Sequence, residues 1–109
     1  MKLNGTNSLD DLVEQSKARP VVIFKHSLTC SISASVYNEM EEFDGEVALI
    51  EVQKSGELSR EIASRLGVVH ESPQVIVLRN GQVVWNASHF NVTADAVEKA
   101  VRAAEGGRQ

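Results

Sequence analysis

A single cysteine, Cys30, stands in the run Thr29-Cys30-Ser31-Ile32-Ser33 of this 109-residue chain. The spacing is that of a Cys-x-x-Cys pair with serine replacing the second thiol. A thiolate is the form that attacks a disulfide sulfur, and a free thiol ionises only near pH ~8.5. Chemistry at Cys30 therefore needs an environment that favours the anion. Ser33 can hydrogen-bond a thiolate or cap a helix, but it cannot resolve a mixed disulfide. Exchange at Cys30 must then stop at a mixed disulfide that an external thiol resolves. Lone cysteines generally pack as small hydrophobes; the polar Thr29, Ser31 and Ser33 around this one argue for a working thiol instead. Lys25 and His26, just upstream, are candidate sources of positive potential.

Serine is common, so the spacing gains its meaning from where it falls. Val21-Val22-Ile23-Phe24 is a continuous β-branched and aromatic run, as in a strand buried on both faces. Ile32 to Phe43 then favours helix, with Val36, Met40 and Phe43 near one face and Asp44-Gly45 closing it. Cys30 thus falls where a buried strand gives way to a helix. Unpaired N–H groups and the positive end of the helix dipole gather at such an N-terminus, and both stabilise a thiolate.

The remaining elements follow from punctuation. Ser8 caps a first helix carrying Leu9, Leu12 and Val13, which Arg19-Pro20 stops. Val47 to Val52 reads as a second strand. Leu58, Ile62 and Leu66 mark a short helix ended by Gly67. Ser72-Pro73 precedes Val75-Ile76-Val77-Leu78, and Asn80-Gly81 is a strong hairpin signal leading to Val83-Val84-Trp85. Thr93 caps a last helix carrying Val97, Ala100, Val101 and Ala104, and the Gly106-Gly107-Arg108-Gln109 tail frays. Trp85 reads as sheet-face core.

The order is α-β-α-β-α-β-β-α over one domain spanning residues 1–109. The β-α-β start implies parallel strands with a right-handed crossover, and the hairpin adds two antiparallel ones. This is the pattern of a thioredoxin-like α/β fold: a four-stranded mixed sheet flanked by helices, with an extra N-terminal helix. In that fold a cis proline before the third strand lies opposite the active cysteine. Ser72-Pro73 reads either as that cis bond or as an ordinary trans proline opening a strand. A cis bond would leave the backbone of Ser72 free to pair with an extended substrate.

Composition sets limits. A formal charge of −4 without a Lys/Arg cluster gives no support to nucleic-acid binding. No apolar run approaches the ~18 residues of a membrane span, and Met1 to Asn7 lacks the apolar core of a secretory signal. The expected compartment is the cytoplasm, where the sequons at Asn86 and Asn91 carry no message. One cysteine excludes an intramolecular disulfide and a four-thiolate metal site in one chain, and no metal ligand set is expected.

From about Ser8 to Ala104 the chain resembles the monothiol bacilliredoxin family of the bacillithiol system. The matching segments are Phe24-Lys25-His26-Ser27, Thr29-Cys30 with Ile32-Ser33, His70-Glu71-Ser72-Pro73-Gln74, and Val83-Val84-Trp85 with Ala87-Ser88-His89. Two positions depart: Ser31 stands where the family commonly has proline, and Phe90 where tryptophan is expected. The resemblance implies that Cys30 removes bacillithiol from S-thiolated client proteins, with a second bacillithiol or a thiol-disulfide reductase completing turnover. Bacillithiol is then a co-substrate, with no tightly bound cofactor. His26, His89 and the backbone around Ser72, Pro73 and Gln74 are the candidate contacts to it, and Thr29, Ser31, Ser33, Lys25 and His26 support the thiol. Two other functions fit the same fold: an iron–sulfur carrier of the monothiol glutaredoxin type, which the absence of Cys-Gly-Phe-Ser disfavours, and a non-catalytic binding module.

Overall fold

The computed structural model describes residues 1–5, 8–28 and 31–106. Strand β1 (Lys2–Leu3) is followed by α1 (Leu9–Ser16), β2 (Val21–His26), α2 (Ser31–Glu41), β3 (Glu46–Glu51) and α3 (Gly56–Leu66). The chain ends with β4 (Gln74–Arg79), β5 (Gln82–Ser88), a 3-10 turn (His89–Asn91) and α4 (Ala94–Gly106). The sheet order is β1-β3-β2-β4-β5, with β2 parallel to β3 and antiparallel to β4. No helix among the described residues is long and apolar enough to cross a membrane.

Two helices cover each face. Val22, Phe24, Val75 and Val77 turn toward Val36 and Met40 of α2 and Val97 of α4. Val21, Ile23, Ile76 and Leu78 turn toward Leu9 and Leu12 of α1 and Ile62 of α3. The alternation of β2 and β4 between these clusters is the two-residue period of a strand that is apolar on both sides.

The expected caps form. The Ser8 hydroxyl accepts from the Asp11 N–H at 3.5 Å, and the Thr93 hydroxyl accepts from the Ala96 N–H at 3.1 Å. Gly67 ends α3 at φ 70°, a conformation that costs little only without a Cβ. Asn80 and Gly81 both have positive φ, as a two-residue hairpin turn of matching twist requires. That turn docks on the end of α1: the Asn80 N–H donates to the Ser16 carbonyl and the Gly81 N–H to the Ser16 hydroxyl, each at 2.8 Å.

The structure departs from the sequence expectation at several places, among them α2, which runs from Ser31 to Glu41 rather than from Ile32 to Phe43. The sheet has five strands, because Lys2–Leu3 adds to β3 in parallel, held by the Lys2 N–H on the Gly45 carbonyl and the Asn4 N–H on the Val47 carbonyl. Two residues carry no periodicity, so the sequence offers no signal for it. α1 ends at Ser16, before Arg19-Pro20 is reached. α4 continues through Gly106, one residue into the tail expected to fray; residues 107–109 lie outside the described residues. Strand β2 runs two residues beyond Phe24 and takes in Lys25 and His26.

Candidate active site

The extension of β2 brings the candidate residues together. Lys25 pairs with Gln74 across β2 and β4, and continuing that antiparallel register leads His26 and Ser27 toward Pro73 and Ser72. The Ser72-Pro73 peptide is cis. Among the described residues neither the N–H nor the C=O of Ser72 makes a hydrogen bond, whereas the Pro73 carbonyl accepts from the His89 N–H at 3.0 Å. His89 is exposed and holds a left-handed backbone, φ 55°, uncommon outside glycine.

On the other side, α2 starts at the exposed Ser31. Ser33 is fully buried, and its Oγ accepts the Ser27 N–H at 3.2 Å. The hydroxyl thus ties the strand-to-helix loop to the helix, a use that the sequence did not suggest. Gln53 holds the same loop from the β3 side: its Oε1 accepts the Leu28 N–H at 3.0 Å, and its Nε2 donates to the Ser27 hydroxyl at 2.8 Å. Gln53 was not a candidate, and nothing local marks a residue that acts across a separation of 25 positions. Thr29 and Cys30, which join Leu28 to Ser31 in the chain, lie outside the described residues.

The electrostatics differ from the simple expectation of two cations. The Lys25 side chain is fully buried and its Nζ has no hydrogen-bond partner among the described residues. Desolvation lowers its pKa from 10.5 to about 8, with the charge of Glu71 opposing the shift. Burial also lowers the pKa of His26, against the pull of Glu51, so its imidazole is uncharged at neutral pH. Burial thus weakens what His26 adds to the positive potential there. His70 is likewise lowered, by burial and then by Lys25, and its Nδ1 sits 3.2 Å from the Ser59 hydroxyl. Four further buried atoms lack partners among the described residues: His26 Nδ1, Ser72 Oγ, Gln74 Oε1 and, at the far end of β4, Arg79 Nε. Gln74 spends its Nε2 on the Val69 carbonyl at 3.0 Å. Unpartnered buried polar atoms are rare in folded proteins, and all of these except Arg79 Nε lie around the cis peptide and the end of β2.

A cis-proline turn facing the start of a helix at the end of a central parallel strand defines a thioredoxin-fold protein. Solved structures agree. One, described as a candidate oxidoreductase with a thioredoxin fold, matches at 32% identity over 91% of each chain with a TM-score of 0.79. Thioredoxin from Fasciola hepatica matches at 16% identity over 94% of this chain and 97% of its own, TM-score 0.68, and thioredoxin f from spinach chloroplast at 17% over 96% and 93%, TM-score 0.67. At such identities the thioredoxins speak for the fold alone. The family model for the monothiol bacilliredoxin BrxC matches residues 1–97. The chain belongs to that family, and so to the thiol oxidoreductases.

Proposed function

We propose that this protein is a monothiol oxidoreductase that removes bacillithiol from protein mixed disulfides through Cys30. The observation that carries the reading is the cis Ser72-Pro73 turn with the Ser72 backbone unengaged, beside a chain whose one thiol directly precedes α2. An extended segment bearing the disulfide pairs with the Ser72 N–H and C=O, as an added strand would. The Cys30 thiolate attacks the bacillithiol sulfur of the adduct. A Cys30–bacillithiol disulfide forms, the client S–S bond breaks, and the electron pair leaves on the client sulfur, which takes up a proton. A second bacillithiol thiolate, or the thiol of a reductase, then attacks that mixed disulfide and releases Cys30 as thiolate.

Each supporting residue has a stated task. The unpaired N–H groups at the start of α2, beginning with Ser31, stabilise the anion. The Lys25 ammonium, held in a medium of low polarity, adds long-range positive potential that water screens poorly. Ser33 fixes the loop, and its hydroxyl proton remains available to a neighbouring anion. Thr29, the residue before the thiol in the chain, supports it, and His89, beside the cis-proline turn, contacts substrate. The reading takes the cytoplasm as compartment, S-thiolated proteins as clients and bacillithiol as co-substrate, without a tightly bound cofactor.

The test is mass spectrometry of the protein after incubation with a bacillithiolated client. The expected result is a bacillithiol adduct on Cys30 with stoichiometric release of the client thiol, and neither in Cys30→Ser. Client release without an adduct on Cys30 would refute the mechanism.

A further inference from the structure

Beside the first turns of α2 lies an open cleft of about 310 Å³, lined by His26, Ser27, Leu28, Ala34, Tyr37 and Asn38. Its walls come from both chain neighbours of the Thr29–Cys30 segment: the end of β2 with its loop on one side, and α2 on the other. In the chain Cys30 is two residues from Leu28 and four from Ala34, both of which line this cleft. The volume sits at the small end of ligand sites, about 300–1,000 Å³, which suits a single ring rather than a peptide segment.

The walls have a definite chemistry. The rings of His26 and Tyr37 lie 5.1 Å apart at 54°, and the fully buried Phe24 backs both at 5.5 and 6.1 Å. The three rings, each tilted against the others by 44–55°, form an aromatic wall to the cleft. His26 is uncharged at neutral pH and its Nδ1 is buried without a partner among the described residues. Of the lining residues Leu28 stands 52% exposed, and Asn38 is exposed as well. Among the described residues no lysine or arginine lines the cleft. An aromatic wall and an amide among the lining residues recognise a molecule with an apolar C–H face and a ring of hydroxyls. A carboxylate would find no counter-charge in it and would stay in water.

We propose that this cleft is the subsite for the sugar ring of a glycosylated low-molecular-weight thiol, with Tyr37 and Asn38 as its specificity-determining residues. The proposal rests on the reading of Cys30 as the exchange nucleophile. It places recognition of the small thiol on the α2 side, and leaves the cis-proline side to the polypeptide of the client. The sugar ring packs a C–H face on Tyr37 and His26, and its hydroxyls take hydrogen bonds from and to the Asn38 amide.

The experiment compares two adducts of one client protein, one carrying bacillithiol and the other 2-mercaptoethanol, which has no sugar. The quantity read is the ratio of kcat/KM for the two, in the full-length protein and in Tyr37→Leu and Asn38→Ala. The expected result is a preference for the bacillithiol adduct in the unaltered protein that falls at least fivefold in each variant, through KM. A ratio that the variants leave unchanged overturns the subsite while the exchange reaction stands. Dependence of the variants' losses on the client's flanking sequence, rather than on the thiol, overturns it in favour of a peptide pocket. Failure to reduce either adduct overturns the exchange reading itself. Asn38 is exposed and decides the matter alone if Tyr37→Leu does not fold.

Discussion

Lys25 and Gln74 pair directly across β2 and β4, both fully buried, and the Lys25 Nζ and Gln74 Oε1 each lack a hydrogen-bond partner among the described residues. Register puts the two side chains on the same face of the sheet, the one otherwise filled by Ile23, Ile76 and Ile62. An ammonium group in such surroundings costs stability unless a nearby charge repays it. Glu71 does so only in part, since the lysine pKa remains at about 8.

Replacing Lys25 with methionine should therefore stabilise the protein at pH 7. The folded pKa of about 8 lies below the unfolded 10.5. Between those values the unfolded chain binds more protons, so stability rises with pH across that window. The full difference corresponds to about 3 kcal/mol. Urea denaturation of Lys25→Met should show a gain of that order at pH 7 that shrinks toward pH 10. A destabilised variant at pH 7, or a flat profile for the unaltered protein between pH 8 and 10, would contradict the burial argument.

The same substitution separates stability from chemistry. If the buried ammonium stabilises the Cys30 thiolate, the ultraviolet thiolate absorbance of Lys25→Met titrates at higher pH, by about one unit. Exchange with a disulfide at neutral pH then slows although the fold is firmer. A variant that is more stable and keeps its thiol midpoint would remove Lys25 from the active site.

His26 tests the same sign of linkage, at lower pH and at an aromatic site. Its ring should titrate below the ordinary 6.5, because burial against Phe24 and Tyr37 disfavours the cation. The unfolded chain binds the proton first as pH falls, so the stability this group contributes is present above 6.5 and is lost through the folded pKa. Imidazole proton shifts followed by NMR read the midpoint directly. A midpoint above 6.5 would show that Glu51 outweighs desolvation.

Much of this was legible in the sequence, for physical reasons that also explain the gaps. Caps at Ser8 and Thr93, the stop at Gly67 and the turn at Asn80-Gly81 are local devices, and local devices can be read residue by residue. The cis bond at Ser72-Pro73 was one of two open readings, because nothing in the dipeptide itself decides between them. The burial of Lys25 was hidden by its own charge: a lysine after Phe24 ends an apolar run on paper, while the ladder with Gln74 continues the strand in space. Gln53 and Ser33 hold the loop through contacts set by tertiary packing. Tyr37 had a faint signal, four positions after Ser33 and so near the same helix face.

Ser33→Ala should loosen the loop rather than the helix. The Ser27 N–H loses the acceptor it now has at 3.2 Å in a buried setting, a loss worth about 1–3 kcal/mol. Thermal unfolding should register that decrease, and hydrogen exchange should accelerate at Ser27 before it does in the body of α2. Unchanged stability would mean that the contact contributes nothing in solution.

Ser31→Pro probes one of the two positions at which the resemblance implies a different residue in the family. Ser31 is the first residue of α2 and is exposed. Proline is well accepted there, because its fixed φ suits the first turn and the N–H it lacks has no partner within the helix. Stability should change by less than about 1 kcal/mol. The electrostatic consequence is larger than the structural one, since one of the N–H dipoles gathered at the helix start disappears. The thiolate absorbance of Cys30 should then titrate at higher pH in the proline variant, and exchange at neutral pH should slow in proportion to the lost thiolate. A midpoint that stays put, or falls, would show that the Ser31 N–H does not reach the sulfur.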